Sequence, residues 1–106
     1  MTVYNKLVRD KIPQIIEKSG EIPVIRVLED EEYLACLKDK LREETEEFCK
    51  DQNLEELADI LEVVYALADR LGSRDQLQEV FQRKHEARGG FEKRYYLIGK
   101  KEEGEK

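Results

Sequence analysis

Two stretches of helical apolar periodicity, 30–50 and 53–71, follow one another across a short polar connection near Lys50–Asn53. Helices joined by so few residues fold back as antiparallel neighbours, which fixes most of what a chain of 106 residues can become. In the first stretch Leu34, Leu37, Leu41 and Phe48 share one stripe, and Glu44 falls inside it. Glu47 lies on its margin, while Glu43 and Glu46 point further out. In the second, Leu57, Ile60, Leu61, Val63, Val64, Leu67, Ala68 and Leu71 form an arc too wide for one neighbour to cover. Glu56 and Asp59 border that arc, whereas Glu55 and Glu62 face water.

The remaining punctuation predicts two further helices and two strands. Asp10 is placed to cap a short helix with Pro13 in its first turn and Gly20 as its stop. Asn53 and Glu56 form a capping box, and Ser73 with Gln76 repeats the device before a third substantial helix ending at Gly89-Gly90. That helix has Leu77, Val80 and Phe81 on one stripe, which then turns cationic at Lys84 and Arg88. Residues 24–28 and 94–98 have the β-branched and aromatic content of strands able to pair in a small sheet. The fold class expected is mainly α, a single domain over 1–106: a bundle of three substantial helices and a short N-terminal one, completed by oligomerisation. The width of the second helix's apolar arc is the reason to expect a homodimer or higher oligomer.

Charge narrows the function. Residues 29–62 hold fourteen Asp/Glu against four Lys/Arg, while 80–101 hold seven Lys/Arg against two Glu. The net charge of −6 argues against a nonspecific nucleic-acid binder. No apolar run is long enough to span a bilayer and the first residues lack a secretory core, so a cytoplasmic location without membrane contact is expected. Cys36 and Cys49 have no disulfide or CxxC spacing and read as reduced thiols. His85 has no residue pattern of a general base around it.

Two E-x-x-[ED] pairs remain, Glu44 with Glu47 and Glu56 with Asp59. Spacing of three puts each pair on one helical face, and the hairpin brings the faces together. Converging carboxylates repel unless a cation joins them, and oxygen donors without a His/Cys cluster suit Mg²⁺, with Mn²⁺ as a substitute. The competing reading makes Glu44 the partner of a basic residue such as Lys84 or Arg88, and Glu56 only a cap.

Leu41-Arg-Glu-Glu-Thr-Glu-Glu47 followed by Glu56-Leu-Ala-Asp59 resembles the EExxE…ExxD signature of the all-α nucleoside triphosphate pyrophosphohydrolase superfamily. That group includes MazG proteins and phosphoribosyl-ATP pyrophosphohydrolase. Tyr4-Asn-Lys-Leu-Val-Arg-Asp-Lys-Ile-Pro13 and Arg88-Gly-Gly-Phe91 resemble a small MazG-like branch of it. The resemblance implies an oligomeric helical bundle that cleaves nucleotides between the α and β phosphates with Mg²⁺. It implies Glu44, Glu47, Glu56 and Asp59 as metal ligands, Glu43 as the signature's remaining acid, and Lys84 as a phosphate contact. The connection between the two acidic motifs is shorter than in those relatives, which leaves less wall for a base.

The expected function is therefore a Mg²⁺-dependent nucleotide pyrophosphohydrolase acting on a nucleotide or phosphoribosyl-nucleotide. Glu43 or Glu47 orients the attacking water, and Lys84 and Arg88 meet the phosphates. Lys6, Arg9 and Lys11 are further candidates to close over the site. The alternatives are a phosphoribosyl-ATP pyrophosphohydrolase and a non-catalytic helical oligomerisation or regulatory module.

Overall fold

The computed structural model describes residues 1–105, and every regular element among them is helical: α1 (Ile12–Lys18), α2 (Asp30–Asp51), α3 (Leu54–Leu71) and α4 (Arg74–Arg88). The described residues fall into two compact units, Met1–Arg74 and a second from Asp75 onward.

In the first unit α2 and α3 form the expected hairpin. Gln52 makes the turn by adopting the left-handed region at φ 51°, and its N–H donates to the Phe48 carbonyl at 2.8 Å. Asn53 then caps α3: its side-chain oxygen accepts from the Glu56 N–H at 2.9 Å, satisfying one of the orphan donors of the first turn. At the other end of the hairpin Arg70 Nη2 lies 2.9 Å from Asp30 Oδ2. Leu37 on α2 and Val63 and Ala68 on α3 form the buried core. The outer side of the α3 arc stays in water, with Leu57, Leu61 and Leu71 all exposed.

Helix α1 begins at Ile12 with Lys11 as its N-cap residue and no side-chain cap bond, so the cap expected at Asp10 is not made. Pro13 sits in its first turn, where a missing N–H costs nothing. It stops at Ser19, whose hydroxyl donates to the Ile16 carbonyl at 2.7 Å, followed by Gly20 at φ +93°.

The sheet expected from 24–28 and 94–98 is not formed: no strand occurs among the described residues. β-Branched composition is a preference for a pleated, half-buried surface, and it makes a strand only where a ladder partner is supplied. Val24, Ile25 and Val27 are exposed, and the stretch is held locally by Arg26, whose two terminal nitrogens donate to the Glu32 carboxylate at 2.8 and 2.7 Å. Tyr95 to Ile98 are exposed in the second unit.

In that unit α4 buries no side chain. Phe81 stacks on His85 with ring centroids 6.0 Å apart, and Gly89, in the positive-φ conformation, ends the helix with its N–H on the His85 carbonyl. No helix among the described residues is long and apolar enough to cross a membrane. Cys36 and Cys49 are free thiols.

Candidate metal centre

The hairpin places its carboxylates at the end where α2 gives way to α3. Glu44 and Asp59, one from each helix, come together with Glu56, so that an oxygen from each lies within 4.8 Å of the others. All three are half-buried. A second group, Glu47, Asp51 and Glu56, satisfies the same spacing and is more exposed. Glu56 belongs to both. The four acids singled out by spacing are thus gathered around one residue as two overlapping triads, with Asp51 as a member that the spacing argument missed. Its signal was present: Asp51 follows Glu47 by one helical turn and shares its face.

Electrostatics agree with the geometry. Burial, then the charges of Asp59, Asp51, Glu44 and Glu47, push the Glu56 carboxyl above its ordinary range. A group crowded by like charge favours a proton or a cation.

The chain supplies two cations of its own. Lys40 Nζ lies 3.7 Å from an oxygen of Glu44 and 3.7 Å from one of Glu43. Arg9, from the segment before α1, donates from Nη2 to Asp59 Oδ1, with Nη1 3.8 Å from Glu62. Lys40 was legible as a helical i,i+4 partner of Glu44, whereas the Arg9 contact spans too much sequence for any local pattern to find. Glu43, exposed and paired with Lys40, belongs to neither triad. Lys6 and Lys11 are exposed in the N-terminal segment, and Lys84 and Arg88 are exposed on α4 in the second unit.

Beside the first triad runs a groove of about 290 Å³. Leu37, Val63, Ala66 and Tyr33 give it an apolar wall, and Arg9, Lys40 and Arg74 give it positive charge next to Glu44 and Asp59. Arg74 is itself held, 4.8 Å over the Tyr65 ring and 3.3 Å from Asp69.

The donors fit a hard divalent cation. All are carboxylate oxygens, the donor type that Mg²⁺ takes. Nothing in the set favours a softer metal.

No family model and no solved structure matches the chain. It is similar to an uncharacterized protein of Mycolicibacterium smegmatis (strain ATCC 700084 / mc(2)155), with 57% identity over 42 residues, 40% of this chain and 43% of that protein. The chain thus matches less than half the length of that relative.

Proposed function

We propose that the chain is a Mg²⁺-dependent nucleotide pyrophosphohydrolase of the MazG-like kind, a cytoplasmic enzyme cleaving between the α and β phosphates. The observation that carries this reading is the half-buried triad of Glu44, Glu56 and Asp59, contributed by two helices, with Glu56 held above its ordinary range. Carboxylate oxygens brought from two helices to one spot are the donor type that a magnesium–phosphate site uses.

Glu44, Glu56 and Asp59 would hold the ion, with Glu47 and Asp51 beside them. Mg²⁺ bound there would polarise a water and neutralise charge on the phosphates. Glu43 or Glu47 orients that water and accepts its proton. The water oxygen bonds to the α phosphorus, the α–β bridging bond breaks, and pyrophosphate leaves with a nucleoside monophosphate as the other product. The N-terminal cations Lys6, Arg9 and Lys11 meet the phosphates; an Arg does so with two parallel hydrogen bonds.

The assembly proposed with it is a homodimer in which the exposed Leu57, Leu61 and Leu71 side of α3 is covered by a second copy, completing the bundle.

One observation favours a second reading, a non-catalytic helical module: Arg9 and Lys40 already neutralise Asp59 and Glu44. A thermal-unfolding titration separates the two. A metal that binds only the folded chain raises the midpoint with concentration, and E56Q combined with D59N abolishes the rise. An unchanged midpoint across millimolar Mg²⁺ and Mn²⁺, with and without nucleotide, favours the structural module.

A further inference from the structure

We propose that Arg9 is a built-in counter-ion of the carboxylate triad, and that a divalent cation binding there takes Asp59 from it and frees residues 7–10 from the groove. This deepens the metal reading above and rests on it.

Arg9 grips two acids one turn apart on α3. Nη2 donates to Asp59 Oδ1 and Nη1 lies 3.8 Å from Glu62. Through this grip the backbone of the N-terminal segment is held against the hairpin, and Leu7 and Val8 become part of the groove wall. Leu7 is half-buried there, whereas every other residue from Met1 to Lys11 is exposed. The grip is therefore the main polar tie of a segment with little apolar anchorage.

Lys40 is a different kind of partner. It reaches Glu44 from one turn earlier on the same helix, so its displacement moves nothing but its own side chain. Arg9 belongs to another element, and losing Asp59 unties that element. A cation seated among Glu44, Glu56 and Asp59 would lie within a few ångströms of the guanidinium, and like charges at that range repel. Arg9 must then turn toward Glu62 alone or toward an anion. A polyphosphate arriving with the metal offers that anion, and the bidentate fork suits it. The contact that masks the empty triad is thereby available to the loaded one.

The test uses the full chain and Mn²⁺ alone as probe. Chymotryptic cleavage at Leu7, which lines the groove, is compared in wild type, R9A and R9K, with and without Mn²⁺, and Mn²⁺ affinity is measured by calorimetry with K18A as a charge control. Metal-free wild type is expected to be cut at Leu7 more slowly than R9A, and Mn²⁺ is expected to bring it to the R9A rate. R9A is expected to bind Mn²⁺ about two- to five-fold more tightly than wild type, the range a partly exposed ion pair permits, with R9K between and K18A unchanged. Equal or weaker Mn²⁺ binding by R9A overturns the proposal while leaving the metal reading intact. Binding by none of the variants overturns the metal reading and with it the exchange of partners. Equal cleavage at Leu7 in metal-free wild type and R9A shows that Arg9 does not hold the segment, and overturns the proposal whatever the metal does.

Discussion

Arg70 Nη2 lies 2.9 Å from Asp30 Oδ2, and this pair ties the open end of the α2–α3 hairpin, remote from the carboxylates. The Asp30 side chain is largely exposed, while Arg70 Nε is buried without a hydrogen-bond partner among the described residues. The gain and the cost nearly cancel: a pair this exposed contributes about 0.2–1 kcal/mol, and an unmet buried N–H costs about as much or more. R70M is therefore expected to change stability by less than about 1 kcal/mol, with either sign permitted. Urea unfolding of wild type and R70M checks this.

At the opposite end the cap on α3 has a functional consequence. Asn53 accepts from the N–H of Glu56, the residue common to both triads. N53A is expected to lose about 1 kcal/mol and to fray the turn that carries Glu56. Mn²⁺ affinity should fall with it, whereas N53D, which keeps the acceptor, should retain stability. Paired unfolding and calorimetry on the two variants test the link.

Glu56 and Glu32 should give stability opposite dependences on pH. Burial and neighbouring acids raise Glu56, so its contribution is full below the unfolded value near 4.5 and is lost as pH rises through the higher folded value. The Arg26 hydrogen bond lowers Glu32, so its contribution is present above about 4.5 and is lost as pH falls through the lower folded value. In metal-free unfolding series from about pH 3 to about pH 7, E56Q is expected to gain on wild type as pH rises. E32Q is expected to trail wild type at neutral pH and to converge with it in acid.

Concentration should matter as well. A side of α3 carrying exposed Leu57, Leu61 and Leu71 leaves apolar area for a second copy to bury. Light scattering at low micromolar concentration is expected to give twice the chain mass of 12.5 kDa, and the unfolding midpoint should rise with concentration. L61E should lower the mass. A monomeric mass in wild type would remove the dimer from the account.

The legible parts of this fold are those written within one or two turns of sequence. Asn53 announced its cap, the Lys50–Asn53 gap announced the hairpin, and the phase of Glu44, Glu56 and Asp59 announced that they border a shared face. Residues 24–28 and 94–98 misled because β-branched and aromatic side chains state a preference, while pairing depends on a partner that local sequence does not name. Asp10 resembled a cap by type and position, yet the N-cap position of α1 falls one residue later, on Lys11. Arg9 was readable only as one cation among three. Its choice of Asp59 is a tertiary event, set by how the N-terminal segment crosses the hairpin.

Product identification is the most direct test of the proposed α–β cleavage. Purified chain with Mg²⁺ is incubated with nucleoside triphosphates, deoxynucleoside triphosphates and phosphoribosyl-ATP, and the products are resolved by phosphorus NMR. Pyrophosphate with a matching monophosphate is expected from a triphosphate, with loss of that activity in E44Q, which remains folded because removing one charge relieves repulsion in the triad. Orthophosphate with a diphosphate would contradict the mechanism, and E44Q that unfolds the chain with no turnover in wild type would leave Glu44 as a structural partner of Lys40.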